Sequence, residues 1–240
     1  MPGARLHELT IADEPARWTA VGFAVEDGVV HVGGVRIRLA GRGAGRGIVE
    51  WALRDLASEQ LDGLPTRRAD AEPGGDGAAP PPPARAGDPI RGVLASHPDG
   101  DAHASAPAHP NGVVALDHVV TITPALDRTV VALEAAGLDL RRIREEPTPA
   151  GAPRQAFFRL GTVILEVVQA PEEALERSGG PDGPAFFWGL AFKVADLDAT
   201  VAAIGEQRCS PPRPAVQPGR RIATLRRSAG LAVPVALMTE

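Results

Sequence analysis

The chain of 240 residues has a single cysteine, Cys209, no tyrosine, and a single lysine, Lys193. One cysteine excludes an intrachain disulfide and a cysteine-rich zinc site. The formal net charge of -5 gives no general attraction to nucleic acid or to an anionic membrane surface. No apolar run approaches the roughly 20 residues that span a bilayer, and the first residues lack the apolar core of a signal peptide. We therefore expect a cytoplasmic protein that binds neither nucleic acid nor membrane.

A segment rich in Pro, Gly, Ala and Asp separates two more apolar parts of the chain. It runs from about Thr66 to Asn111, has almost no large apolar residues and shows no periodicity. Such a composition buries too little surface to offset its ordering entropy, and the four prolines at 80–83 favour an extended spacer. We therefore predict a flexible linker over 61–112, between an N-terminal module, 1–60, and a C-terminal domain, 113–240.

The C-terminal domain contains the order strand, helix, strand, strand, strand twice. In the first copy, a β-branched strand is followed by a helix that begins near Pro124 and ends at Gly137. In the second, the strand "FFWGLAFKV" precedes a helix for which Asp196 is a plausible N-cap. Prolines weaken one strand of this copy, near "CSPPRPAVQ". The domain therefore divides into modules 113–170 and 184–240.

The N-terminal module repeats the same order. The strand "LHELTIAD" and the short helix "EPARWTAVG" are followed by three stretches that predict strands. Aligning "HELTIADEPARW" with "HVVTITPALDRT" matches His7 to His118. Repetition at this length predicts units that each need a partner to cover one face.

The stretches "LDHVVTITPALDRTVVALEAAGLDL", "AFFRLGTVILEVV" and "FFWGLAFKVADLDATVAAI" resemble the vicinal oxygen chelate superfamily, which includes glyoxalases, bleomycin-resistance proteins and extradiol dioxygenases. The resemblance implies an α+β fold in which paired βαβββ modules form a curled mixed β-sheet around a cleft. It also implies a divalent metal ion, held by a histidine on the first strand and a glutamate on the last strand of a module. Such a metal binds a substrate through two adjacent oxygens and acts as a Lewis acid or activates oxygen.

In the middle module, the pattern points to His118 and Glu166 as ligands of a divalent metal of unknown identity. The alternative is a hydrogen-bonded strand histidine that binds no metal. In the last module, the alignment places Gly189 and Val235 at the equivalent positions, and neither side chain binds a metal.

The N-terminal module offers His7 and, when "GIVEWA" is aligned with "VILEVV", Glu50 as further metal ligands. If the N-terminal modules of two chains paired, a symmetric site would collect both residues twice. The sequence therefore raises the possibility of a homodimer through this module.

Two other groups of side chains are candidates for ligand contacts. Alternation along a strand sends the two rings of each aromatic pair to opposite faces. Core packing is the default for these rings, and the alternative is a cleft wall for an apolar ligand, for which Phe158 and Trp188 are the candidates. Arginines crowd two strands and either bind an anionic ligand or form a solvated sheet edge. These are Arg36 and Arg38 on one strand, and Arg220, Arg221, Arg226 and Arg227 on the other.

Two functions remain open at this point, and the sequence identifies no catalytic residue. One is a divalent-metal-dependent enzyme, a lyase or dioxygenase acting on a small molecule with vicinal oxygens. The alternative is a metal-free small-molecule binding protein of the bleomycin-resistance type. Retention of His118 with Glu166 favours the first, and the loss of both positions in the last module favours the second.

Overall fold

The computed structural model describes residues 3–69, 108–147, 151, 154–171 and 180–239. They form two mixed β-sheets, one of five and one of eight strands, with short helices and connecting turns. No helix in the described part of the chain has both the length and the apolar character that crossing a membrane requires. The short helix α1 (Pro15–Thr19) belongs to the N-terminal sheet, whose strands are β1 (Arg5–Ile11), β2 (Val29–Val32), β3 (Val35–Leu39), β4 (Ile48–Arg54) and β5 (Thr66–Arg68).

The C-terminal sheet contains eight strands, with helices α2 (Leu126–Ala135) and α3 (Leu197–Ile204). Its strands are β6 (Val113–Thr123), β7 (Asp139–Arg144), β8 (Gln155–Leu160), β9 (Val163–Gln169), β10 (Phe186–Val194), β11 (Arg213–Pro214), β12 (Arg221–Thr224) and β13 (Val235–Met238). The proline-rich stretch that weakened one predicted strand forms only the two residues of β11.

The C-terminal sheet is built from two copies of one module. Strands β6 and β10 pair antiparallel at its centre. Outside them, β9 pairs parallel with β6, and β13 pairs parallel with β10. The strand order β11-β12-β13-β10-β6-β9-β8-β7 therefore reads the same from either edge. The α+β fold with paired βαβββ modules in a mixed sheet, predicted from the sequence, is confirmed.

Helices α2 and α3 end and begin where local chemistry favours it. The Asp196 side chain accepts a hydrogen bond from the Ala199 amide at 3.0 Å, which satisfies one of the free N–H groups of the first turn of α3. Gly137 follows α2 with φ of +90°, a conformation that costs glycine little. Both features agree with the sequence prediction.

The N-terminal sheet differs from the predicted module in its pairing. The elements occur in the predicted order, but β1 pairs parallel with β3 and antiparallel with β4, and β4 pairs parallel with β5. This parallel, antiparallel, parallel pattern is the pattern of the four central strands of the C-terminal sheet. The N-terminal sheet is therefore a shortened version of a complete pair, in which β4 begins the second half.

Both described ends of the predicted linker 61–112 belong to the fold. Residues Thr66–Arg68 form β5, and Leu61 and Leu64 are buried. At the other end His109 is buried, with Nδ1 accepting from the Ala24 amide at 3.1 Å. The predicted linker was therefore too long at both ends. A few buried residues within a polar stretch hardly change its composition, so composition alone does not reveal them. Residues 70–107 lie outside the described residues.

One hydrophobic core joins the two sheets. The ring of Phe192 from β10 contacts Trp18 and Phe23, with centroids 6.3 and 5.1 Å away. Trp51 of β4 meets Phe187 of β10 at 5.1 Å. The sheets thus pack through the faces that carry their helices. The opposite face of each sheet, termed here the N-terminal open face and the C-terminal open face, points away from this core.

A buried carboxylate strengthens the junction. Asp13 is fully buried and accepts hydrogen bonds from Trp18 Nε1 at 3.1 Å and from the Ala232 amide at 2.8 Å. Since a buried carboxylate is costly unless it is hydrogen-bonded, these contacts tie the N-terminal sheet to the turn before β13.

Candidate functional site

His118 and Glu166 meet on the C-terminal open face. They lie on neighbouring parallel strands, with Val120 opposite Glu166 and His118 two positions before Val120. Residues two apart on a strand share a face. The imidazole and the carboxylate therefore point to the same side, and His118 Nε2 lies 3.4 Å from Glu166 Oε2.

Asp117 joins this pair through a β-bulge. The register of β6 against β10 passes from Leu116 opposite Phe192 to His118 opposite Ala191, so Asp117 is an extra residue. A bulge re-aims a side chain, and here Asp117 Oδ2 lies 2.8 Å from His118 Nδ1. An Nδ1–H that donates to Asp117 leaves Nε2 facing Glu166.

Two cations accompany Asp117: Lys193 on the neighbouring strand β10, and Arg220 just before β12. Its Oδ1 lies 3.3 Å from Arg220 Nη1 and 3.7 Å from Lys193 Nζ. Burial would raise the pKa of Asp117, but the hydrogen bond from His118 and the charges of Arg220 and Lys193 hold that pKa below its ordinary value. Asp117 is therefore a stable anion that orients His118. The sequence analysis missed it, because strict alternation places Asp117 on the opposite face from His118.

Glu166 differs from Asp117 in the direction of its pKa shift. Burial raises the pKa of Glu166, against the opposing effect of nearby His118. Gln155 Nε2 donates a hydrogen bond to Glu166 Oε1, and Phe157 is the cross-strand neighbour. The guanidinium carbon of Arg142 lies 4.7 Å from the centre of the Phe157 ring. Glu166 therefore keeps its proton to a higher pH than an exposed glutamate does.

The internal symmetry of the sheet gives the equivalents of these residues in the last module. Val119 lies opposite Leu190, and the bulges at Asp117 and Trp188 are placed symmetrically about that pair. The symmetry puts Gly189 at the position of His118, as the alignment predicted. The alignment was wrong at the second position, where the symmetry puts Ala236 and not Val235 in the place of Glu166. Ala236 lies opposite Ala191 in the last module, and Glu166 lies opposite Val120 in the middle module.

The side chains present do not fit the metal site that the resemblance implies. Of the four equivalent positions, only those of His118 and Glu166 carry groups that can bind a metal. Gly189 and Ala236 occupy the other two. Within the described ranges, no group of three or more His, Cys, Asp or Glu side chains is arranged to hold a metal ion. Zinc sites in proteins use three or four protein ligands, which this face does not supply.

In the pair Phe157 and Phe158, the ring that faces the core is the one predicted to line the cleft. Phe158 is completely buried on the helix side of the sheet, so it belongs to the core and does not line the cleft. Its neighbour Phe157 faces Glu166 instead. Trp188, at the second bulge, is 48% exposed, and its predicted contact with a ligand stays a prediction. Alternation was correct here, but it does not say which of two adjacent rings faces the core.

The N-terminal sheet carries a different set of side chains at the same four positions. In β1 the bulge falls at His7, which takes the place of Asp117, and Glu8 takes the place of His118. The alignment that matched His7 to His118 was therefore wrong by one residue. Glu50 lies on β4, opposite Thr10, and occupies the place of Gly189 and not that of Glu166.

Arginines take the remaining two positions of the N-terminal open face. Arg38 lies opposite Thr10, where Glu166 lies opposite Val120, and Arg67 lies opposite Ala52, where Ala236 lies opposite Ala191.

The buried Glu8 is the centre of a network of ion pairs on this face. The other members are Glu50, Arg36, Arg38 and Arg67. Its carboxylate lies 3.1 Å from Arg38 Nη2, 3.1 Å from Arg67 Nη2 and 3.4 Å from Arg36 Nε. Arg67 Nε also lies 3.2 Å from Glu50 Oε1. Glu8 and Glu50 are thus engaged by guanidinium groups, and this face offers no metal site in the predicted form.

The structure removes the reason for predicting that the N-terminal modules of two chains pair. The central position beside β1, which a second chain was expected to fill, is taken by β4 of the same chain. A shared site containing His7 and Glu50 from two chains cannot form at that position.

No protein-family profile and no curated protein matches the chain. Among solved structures, the chain is similar to methylmalonyl-CoA epimerase from Mycobacterium tuberculosis, with 20% identity over 53% of this chain and 89% of that one, and a TM-score of 0.44. A Streptomyces coelicolor methylmalonyl-CoA epimerase in complex with 2-nitronate-propionyl-CoA is 24% identical over 53% of this chain and 95% of that one, with a TM-score of 0.43. A hypothetical protein from Bacillus halodurans is 16% identical over 52% of this chain and 93% of that one, with a TM-score of 0.41.

The epimerase structures belong to the superfamily that the sequence resembles. The paired βαβββ modules of the C-terminal sheet, with their shared strand order and internal twofold symmetry, are the arrangement that the sequence resemblance to the vicinal oxygen chelate superfamily implied.

Proposed function

We propose that the chain binds a small organic molecule on the C-terminal open face without a resident metal ion. One observation carries this proposal: two of the four positions where the superfamily pattern expects metal ligands hold Gly189 and Ala236. The other two, His118 and Glu166, contact each other and have further partners in Asp117 and Gln155. This pair suits hydrogen bonding to a ligand better than metal coordination.

The side chains around the pair define the kind of ligand. Arg142, Lys193 and Arg220 lie around the Asp117–His118–Glu166 group, which favours a ligand with a carboxylate or another anionic end. Rings of Phe157 and Trp188 provide apolar surface on the same sheet. We therefore infer an amphipathic acid, with its polar atoms directed at His118 and Glu166.

The proton arrangement suits a carbonyl or hydroxyl group of such a ligand. Asp117 fixes the Nδ1–H of His118, and Glu166 keeps a proton readily because burial raises its pKa. The Nε2–Oε2 distance of 3.4 Å is longer than a good hydrogen bond. A ligand oxygen can therefore accept from Glu166, or donate to His118 Nε2, at little cost to the free protein.

Metal analysis tests the proposal. The full chain is purified without chelators, incubated with zinc, manganese, nickel and cobalt salts, desalted, and analysed by mass spectrometry for bound metal. We expect only substoichiometric metal, equal in the wild type, His118→Ala and Glu166→Gln. One metal ion per chain in the wild type that is lost in both variants would overturn the proposal and favour the metal site that the resemblance implies.

A second function, a proton-transfer enzyme, is favoured by the raised pKa of Glu166 and its contact with His118. A carboxyl of this kind is a typical general acid or base. Methylmalonyl-CoA, the ligand of one similar structure, is a convenient probe. Under this second function, its α-proton would exchange with deuterium in the presence of the wild type and much more slowly with Glu166→Gln. Exchange at the uncatalysed rate with both proteins supports the binding protein.

A further inference from the structure

A pocket separate from the C-terminal open face lies where the end of the N-terminal sheet meets the β8–β9 turn. Its volume is about 240 Å³. Its lining includes three basic side chains, Arg5, His7 and Arg54, together with Thr162 of the β8–β9 turn. A cavity of this size exceeds the roughly 30 Å³ of one water molecule by several fold, so it admits a small polyatomic ion.

Two arginines face each other across β1 and β4 in this pocket. Arg5 and Arg54 are direct cross-strand partners, an arrangement in which like charges repel. Asp55 balances Arg5, with its Oδ2 2.9 Å from Arg5 Nη2. Arg54 has no such partner among the described residues, so one positive charge at the pocket is left without a counter-charge.

The Nε atom of Arg54 adds an independent observation. It is buried, and no atom in the described ranges accepts a hydrogen bond from it. A buried donor without an acceptor is unfavourable, and more so when the group is charged. Since native structures rarely leave such a donor unsatisfied, an acceptor from beyond the described residues, such as a bound anion, would account for it.

The rest of the lining suits an anion. Gly33, Gly34 and Gly161 form two turns at the pocket with φ of +55°, +84° and +73°. Turns of this kind carry no side chain that would shield their amides. Thr162 adds a hydroxyl donor. None of the described residues that line the pocket carries a carboxylate side chain.

We propose that this pocket is a binding site for an oxyanion, a phosphate or carboxylate group, whose principal contact is the guanidinium of Arg54. A guanidinium holds such a group through a planar, two-point contact. The anionic group belongs either to a phosphate ester or to a carboxylic acid, and both share this chemistry. The site is independent of the function proposed for the C-terminal open face.

Calorimetric titration of the full chain tests the site, with inorganic phosphate, glycerol phosphate and succinate as probes. Sodium chloride at matched ionic strength is the control for general screening. We expect at least one oxyanion to bind the wild type, and Arg54→Gln to weaken it by roughly tenfold or more, which is the loss of one charge-assisted contact. Arg54→Lys, which retains the charge without the fork, should fall between the two. The probe with the lower Kd distinguishes a phosphate site from a carboxylate site.

Arg46→Gln is the matched control, because Arg46 is an exposed arginine outside the pocket and its substitution removes the same charge. It should bind the oxyanion like the wild type. Equal binding by Arg54→Gln and Arg46→Gln would overturn the proposal. So would a wild type that responds no more to the three oxyanions than to chloride, a comparison that does not depend on any variant folding.

Discussion

Replacing Glu8 by glutamine tests the ion-pair network of the N-terminal open face. The side chain is only 5% exposed, and guanidinium groups from Arg36, Arg38 and Arg67 surround its two oxygens. Removing one partner of a buried ionic group costs about 3–5 kcal/mol. The three arginines are themselves 36–49% exposed, so water screens part of their repulsion. We expect a loss of about 2–4 kcal/mol in the free energy of unfolding.

Urea denaturation followed by tryptophan fluorescence measures this loss, since Trp18 and Trp51 lie in the shared core. Glu50→Gln is the control: that carboxylate is 40% exposed, and its contact with Arg67 should contribute about 0–1 kcal/mol. Because the Debye length falls to roughly 3 Å in 1 M salt, high salt should restore part of the stability of Glu8→Gln. A destabilisation of Glu8→Gln no larger than that of Glu50→Gln would refute the reasoning.

Two further predictions concern the core and the pH dependence of stability. Phe158→Ala should destabilise the protein by about 3–5 kcal/mol and Phe157→Ala by about 1 kcal/mol, because only the first ring fills the core; urea midpoints that fall equally would contradict this. Burial lowers the pKa of His109, whose ring accepts from the Ala24 amide and has Nε2 3.0 Å from the His31 carbonyl. Below about pH 6.5, the ordinary histidine pKa, the unfolded chain gains a proton that the folded chain resists, so stability should decline as the pH falls. The decline should be shallower in His109→Gln, and parallel curves for the two proteins would refute this role.

Elements of the C-terminal sheet could be predicted because their local signals agree. The strand "FFWGLAFKV" corresponds to Phe186–Val194, and Asp196 caps the next helix as predicted. The positions of individual side chains within the sheet were harder. Bulges at His7 and Asp117 insert one residue each, and one inserted residue reverses the alternation on which the assignment of faces rests.

The pairing of strands could not be predicted from local sequence patterns, for a different reason. The pattern around Glu50 predicts a strand, and a strand is found. Nothing in its sequence shows that it pairs antiparallel with β1 as the start of a second half. Long-range pairing depends on which surfaces cover each other, and the sheet-to-sheet core is made by residues far apart in the chain, such as Trp51 and Phe187.

The shared core also bears on how the chain comes apart. Phe187 and Phe192 of the C-terminal sheet have their ring contacts with Trp51, Trp18 and Phe23 of the N-terminal sheet. A fragment without the first sheet would expose these rings to water, and apolar surface of that kind promotes aggregation. Cutting the chain between the sheets should therefore leave two halves that stay associated and melt in a single transition.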